Sequence, residues 1–256
     1  VGESRNGCGR GLWPEPHRGQ ASSLRQTKTK RRPSTDQTQK GTGPIMAEQY
    51  FSADPSSKDV RRTLHVQLCG ADVDVEVSNG VFSGSRLDLG TSVLLRQAPE
   101  PPEQGNLLDL GCGWGPIALS LAMASPQANV WALDVNERAL ELTALNAKRN
   151  GCANVRTVRT DADALPVDPN AIDPDMTFDA IWSNPPIRIG KEALHTLLMN
   201  WLPRLSRDGR AYLVVQRNLG ADSLITWLAD ELGEGYNVSK YHSAKGFRVI
   251  EVSRAA

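Results

Sequence analysis

Between residues 62 and 77, apolar and polar positions alternate. Leu64, Val66 and Leu68 are followed by Val73, Val75 and Val77, with Gly70-Ala71 between the two sets. A period of two predicts a β-hairpin. Residues 88–95 then predict a helix, and residues 97–104, with Pro99, Pro101 and Pro102, a linker. From Asn106 the pattern changes. Short, largely apolar runs at 106–110, 130–134, 178–182 and 211–215 predict strands, and residues 155–160 a further one. Helical stretches separate them. Pro116 to Ala124 has helical composition, and Glu137 to Asn150 is framed by a capping Asn136 and a terminal Gly151. Leu194, Leu197, Leu198, Trp201 and Leu205 keep helical spacing, with Gly209 expected to close that helix, and Leu224, Ile225, Leu228 and Leu232 mark another. Two last strands, around 238–243 and 247–252 and joined by Ala244-Lys245-Gly246, predict an antiparallel pair at the sheet edge. The sum is an α/β protein: a doubly wound, seven-stranded, mostly parallel sheet with a reversed edge strand, preceded by a small N-terminal β-hairpin subdomain.

Composition divides the chain further. Residues 1–45 have almost no apolar spacing and are expected to be a disordered basic tail, 46–104 a small subdomain with its linker, and 105–256 the main domain. Met46 opens a segment of different composition, so the natural product is expected to start there. The tail holds nine Lys/Arg and three acids. Against totals of 29 and 29, this leaves 20 basic and 26 acidic side chains in residues 46–256, a net of −6. Lys28-Thr29-Lys30-Arg31-Arg32 reads as a solvated tail or as an arm on nucleic-acid phosphates. Neither a membrane-length apolar run nor a signal-peptide core is visible, and Cys8, Cys69, Cys112 and Cys152 lack paired spacing. A cytoplasmic protein without disulfides is expected. His65, His195 and His242 lack ligand spacing, so no metal is expected.

The chemistry concentrates at strand ends. Gly111, Gly113 and Gly115 follow the first strand of the main domain and bring backbone, rather than side chains, towards whatever lies above it. Such a loop suits NAD, FAD, S-adenosylmethionine or simply a tight turn. Asp109, just before the loop, would repel a pyrophosphate but welcome the cationic methionyl part of S-adenosylmethionine. Asp134 ends the next strand, where a carboxylate accepts from ribose hydroxyls, with Asn136 beside it. Asp161, with Asp163 nearby, ends the third and is placed to accept from an adenine amino group. Trp114 reads as a pocket wall or a core side chain. After the fourth strand stands Ser183-Asn184-Pro185-Pro186-Ile187. Two prolines remove two donors, leaving the Asn184 side-chain oxygen and the Pro185 carbonyl as rigid acceptors for an –NH₂ group. Holding both hydrogens turns the nitrogen lone pair towards an electrophile, by orientation and electrostatics rather than base catalysis.

Residues 106–186 resemble class I S-adenosylmethionine-dependent methyltransferases of the Asn-Pro-Pro group, on a Rossmann-like sheet. Tyr50-Phe51-Ser52, Gly80-Val81-Phe82-Ser83, Asp88-Leu89-Gly90-Thr91 and residues 184–191 extend the likeness to the "methyltransferase small" family, which includes ribosomal RNA small-subunit guanine-N2 methyltransferases. The resemblance implies that Asp109, Gly111, Gly113, Gly115, Asp134, Asn136 and Asp161 line a cofactor site. It further implies that Asn184 and Pro185 hold the target nitrogen, with Pro186, Ile187, Arg188 and Lys191 towards the substrate, which is ribosomal RNA or the small ribosomal subunit. Several relatives carry an aromatic residue where Ile187 stands, so any stacking on a flipped base must come from elsewhere. Adenine N6 or a protein glutamine amide would suit the same turn. Non-catalytic RNA or nucleotide binding and NAD-dependent oxidation remain open at this point, as does oligomeric state.

Overall fold

A computed structural model describes residues 58–255. The basic tail, Met46 and Tyr50-Phe51-Ser52 lie outside the described residues. The chain opens with the expected hairpin, β1 (Arg61–Leu68) and β2 (Ala71–Ser78), paired from Arg61 opposite Ser78 to Leu68 opposite Ala71. Its two-residue turn puts Cys69 and Gly70 at positive φ, the geometry that matches the twist of tight hairpins. The inward row Leu68, Val73, Val75 and Val77 forms a satellite core with Trp114, Leu119, Ala139 and Leu142. The hairpin thus lies over the helices that follow the glycine loop. Trp114, 1% exposed, belongs to this core and walls no pocket.

After α1 (Leu89–Gln97) the main sheet begins: β3 (Gln104–Leu110), α2 (Pro116–Ala124), β4 (Gln127–Asp134), α3 (Glu137–Arg149), β5 (Val155–Arg159), β6 (Phe178–Ser183), α4 (Lys191–Trp201), β7 (Leu205–Gln216), α5 (Ala221–Leu232), β8 (Tyr236–Ala244) and β9 (Phe247–Arg254). The seven strands are ordered β5-β4-β3-β6-β7-β9-β8. The first five in space are parallel, and β9 runs antiparallel between β7 and β8. Both faces are covered. Leu107, Val130, Ala132, Trp182 and Val214 pack towards α1, α2 and α3, while Leu108, Leu133, Ile181, Leu213 and Ile250 pack towards α4 and α5. This accounts for the apolar runs: the central strands β3, β4, β6 and β7 are buried on both sides, whereas the edge strands β5 and β8 are largely half-buried or exposed.

One boundary differs from expectation. The fourth helix ends at Trp201, and Leu205 and Gly209 belong to β7 rather than to a helix end. Pro203 sits in a 3₁₀ turn, Leu202–Arg204, and offers no backbone N–H with which to continue the helix. Gly209 is buried where β6 and β7 pair irregularly, and a Cβ there would stand 2.6 Å from the Phe178 carbonyl oxygen. Its lack of a side chain serves close backbone approach.

Candidate active site

Strand order puts the neighbours β3 and β6 at the point where the chain first winds one way and then the other. Ligands of doubly wound sheets bind outside the strand ends at such a point. A cleft of about 510 Å³ lies there, lined from Asp161 beyond β5, through Asp134 and Gly111, to Asn184, Gln216 and Phe247. It crosses the ends of six adjacent strands, roughly 24 Å at about 4.8 Å per strand. Asn184 divides it: β5, β4 and β3 border one side, β7 and β9 the other.

On the first side, the Gly111 and Cys112 N–H groups both donate to the Leu133 carbonyl at 2.9 Å. Thr143 and Asn146 of α3 donate to the Gly113 and Trp114 carbonyls, each at 3.0 Å. The loop is therefore fixed before anything binds. Gly111 and Gly113 line the cleft, and a Cβ on either would find its nearest neighbour only at 3.9 Å. These two glycines leave a cradle open. Gly115 does something else. It sits beneath the loop at φ +92°, where a Cβ would meet Leu119 at 2.9 Å and Thr143 at 3.0 Å. Its role is close packing of α2 on α3, and it does not line the cleft.

The carboxylates are placed unequally. Asp134 accepts from the Gly113 and Asn136 N–H groups, each at 2.9 Å, and lines the cleft. Burial raises its pKa, and these N–H groups oppose the rise. Each oxygen keeps a further lone pair for a hydroxyl. Asn136 caps α3 through Ala139 N–H and donates to the Gly80 carbonyl at 2.9 Å, tying the roof segment Gly80-Val81-Phe82 to the sheet. Asp161 is exposed at the far edge, its Oδ1 held by the Asp163 and Leu165 N–H groups. Asp109 lies fully buried under the loop and is not a lining residue. Its Oδ2 accepts from Ala118 N–H at 2.8 Å, and its Oδ1 has no partner among the described residues. Burial pushes this carboxyl well above the usual carboxylate range. A glycine cradle and a partly buried Asp134 that lines it fit a ligand with ribose hydroxyls, and the unpartnered oxygen of Asp109 lies beneath the same loop.

At the dividing point, the Asn184 amide nitrogen donates to Asp88 Oδ2 at 2.9 Å and to Thr91 Oγ1 at 3.0 Å. A carboxylate only accepts, so Asp88 dictates which end of the amide faces it. Asn184 lines the cleft, and its Oδ1 has no hydrogen-bond partner among the described residues. The Pro185 carbonyl accepts from Ile187 N–H at 2.9 Å, leaving one lone pair. Gly90 explains the closeness of α1: a Cβ would stand 2.9 Å from Asp88 Oδ2, 3.0 Å from Phe247 Cε1 and 3.4 Å from Asn184 Nδ2. The Phe247 ring therefore lies beside Asn184.

Sequence reasoning missed Asp88, Thr91, Gln216 and Phe247 as site residues. Asp88 and Thr91 carried a signal, the spacing of an N-cap to its acceptor N–H; Phe247, on a strand paired late in the chain, carried none. Pro186, Ile187 and Arg188 line the cleft, Arg188 exposed on the 3₁₀ turn Ile187–Ile189, whereas Lys191 is exposed outside it. Burial raises the Cys112 thiol well above its ordinary pKa, so it is no nucleophile. Among the described residues, no three His, Cys, Asp or Glu converge as a metal site, and no helix is long and apolar enough to cross a membrane.

Residues 72–251 match the methyltransferase small domain family. The chain is 35% identical over 209 residues to the uncharacterized protein YbxB of Bacillus subtilis, covering 82% of this chain and 100% of YbxB. It is 33% identical over 170 residues to ribosomal RNA small subunit methyltransferase C of Acinetobacter baumannii strain AYE, covering 64% of this chain and 48% of that protein. A solved structure of the T. thermophilus 16S rRNA N2 G1207 methyltransferase RsmC, in complex with AdoMet and guanosine, aligns with a TM-score of 0.62 at 22% identity. That alignment covers 76% of this chain and 51% of RsmC, and the likeness is one of fold. The chain thus spans about half the length of the methyltransferase C relatives it matches, and the whole of YbxB. It belongs to the methyltransferase small domain family and is an S-adenosylmethionine-dependent methyltransferase.

Proposed function

We propose that this chain methylates the exocyclic N2 of guanine in small-subunit ribosomal RNA. The observation that carries the reading is the forced orientation of Asn184 at the divide of the cleft. With its nitrogen claimed by Asp88 and Thr91, its oxygen is a fixed acceptor between the two halves. The glycine cradle, Asp134, Asn136 and Asp161 would hold S-adenosylmethionine on the β3–β5 side, with Asp109 buried beneath the cradle, and the bound molecule would supply an electrophilic methyl group bonded to a sulfonium sulfur. Asn184 Oδ1 and the free lone pair of the Pro185 carbonyl would accept the two hydrogens of the target –NH₂. These acceptors would turn the nitrogen lone pair towards that methyl carbon, so that the new C–N bond would form as the carbon–sulfur bond broke, and one amino proton would leave to water. The two acceptors gain strength as positive charge builds on the nitrogen, which lowers the barrier without a general base.

Phe247, beside Asn184, and Phe82 in the roof are the cleft's aromatic faces, and they would take the stacking role that Ile187 cannot. Arg188 and Lys191 would meet guanine acceptors or phosphate. The choice of guanine in ribosomal RNA rests on the methyltransferase C relatives. Transfer from tritiated S-adenosylmethionine to naked small-subunit ribosomal RNA and to assembled subunits, followed by nucleoside analysis, tests it. N2-methylguanosine is expected. Label in N6-methyladenosine or in a protein glutamine would transfer the same geometry to another substrate and end this reading.

A further inference from the structure

The described residues carry a concentration of positive charge outside the cleft, next to its substrate half. Gln216, the last residue of β7, pairs with Phe247, the first of β9, and both line the cleft. Their sequence neighbours Arg217 and Arg248 are basic. The Arg217 N–H donates to the Gly246 carbonyl at 2.8 Å, fixing the turn after β7 against the tip of the β8–β9 hairpin. The hairpin adds exposed Lys245 at its tip and exposed Lys240 on its edge strand. Asp222, at the start of α5, is the carboxylate that Arg248, Lys240 and Arg217 share. Arg248 Nε contacts it at 3.0 Å, and the charges of Lys240 and Arg217 also reach it. Arg217, Lys240 and Lys245 form no direct ion pair among the described residues. Four cations against one carboxylate stand out on a chain whose residues 46–256 are net acidic by six charges. Exposed Leu219, in the same 3₁₀ turn as Arg217, lines the cleft, so apolar and basic groups adjoin at its mouth.

We propose that this hairpin end and the turn after β7 form the surface that holds the phosphate backbone of the RNA strand flanking the target nucleotide. This rests on the reading above, deepening it from a base in the cleft to the strand that presents it. Arg217 and Lys245 supply charge without the loss of a direct ion pair among the described residues. Their place beside Gln216 and Phe247 sets phosphates one or two nucleotides from a base lying against Phe247.

The test is an Arg217→Glu/Lys245→Glu variant, titrated with small-subunit ribosomal RNA over a range of potassium chloride concentrations. Two lost phosphate contacts lower the log–log salt slope by about 1.4, at about 0.7 per contact for single strands. Affinity falls tenfold or more near physiological salt. S-adenosylmethionine affinity and the melting temperature stay at wild-type values, which separates the effect from misfolding. An unchanged slope and affinity overturn the proposal, as does equal competition by polyglutamate, which would point to an acidic protein partner. Wild-type RNA binding with the expected slope but no methylation sinks the substrate reading while this surface stands. Absence of wild-type RNA binding sinks both.

Discussion

Replacing Asp88 by Asn probes the orientation of Asn184 with little else disturbed. Asp88 does two jobs: its carboxylate caps α1 through Thr91 N–H at 3.1 Å, and it accepts from Asn184 Nδ2 at 2.9 Å. Asn caps helices about as well as Asp, so the helix should lose only a few tenths of a kcal/mol. The second job suffers. Facing a carboxylate, a flipped Asn184 forfeits a charge-assisted hydrogen bond of about 1.5–3 kcal/mol, which holds the wrong rotamer to about 7% or less. The oxygen that caps Thr91 N–H is the same Oδ2 that accepts from Asn184, so the variant's amide, keeping the cap, still turns an oxygen to Asn184 Nδ2, now in a neutral hydrogen bond worth about 1 kcal/mol. About a sixth of the molecules then present nitrogen instead of oxygen. The rest lose the polarisation that a carboxylate imposes on the Asn184 amide, about 1 kcal/mol in the transition state. Together these predict a fall of roughly sixfold in the single-turnover rate at saturating RNA. The assay is methyl transfer from labelled S-adenosylmethionine, with cofactor affinity and melting temperature as controls. A wild-type rate, with both controls unchanged, would refute the claim that Asp88 sets the acceptor.

Asp134→Ala removes a carboxylate that both faces the cleft and holds the Gly113 N–H; cofactor affinity measured by calorimetry should fall by about 1–3 kcal/mol, and an unchanged constant would rule out the ribose role. Asp109→Asn should trade stability against binding. Burial raises the folded-state pKa, so below the ordinary carboxylate value of 3.8 both states are protonated and nothing is lost. As pH rises through that value, the unfolded chain ionises first and stability drains away until the folded pKa is passed. The variant should lack this slope, melt at higher urea than wild type at pH 7, and bind S-adenosylmethionine more weakly; parallel wild-type and variant pH profiles would contradict it. Phe247→Ala should raise the KM for RNA by about 1–3 kcal/mol, the usual worth of base stacking, with cofactor affinity intact; an unchanged KM removes Phe247 from the substrate half.

What the sequence makes legible here is local. Gly111 and Gly113, the Asn136 cap, the two-residue turns of both hairpins and the rigid Asn184-Pro185-Pro186 turn declare themselves within a few residues, because backbone conformation and capping are decided at that range. Gly115 looks like its two neighbours in sequence yet packs helices, a distinction set by Leu119 and Thr143 beneath it. Gly209 reads as a helix end because its contact, the Phe178 carbonyl, lies in another strand. Asp88 and Phe247 stand about a hundred and about sixty residues from Asn184, and only the strand order brings them together. The acceptor's existence was readable from the turn; its orientation was not.

The central claim is that one cleft binds the methyl donor on one side of Asn184 and presents an amine on the other. Asn184→Ala, assayed for S-adenosylmethionine affinity and single-turnover transfer on the same preparation, tests it most directly. The account predicts unchanged affinity with transfer reduced by roughly 10²-fold or more, the scale of losing one transition-state hydrogen-bond partner. Transfer retained at the wild-type rate would contradict it.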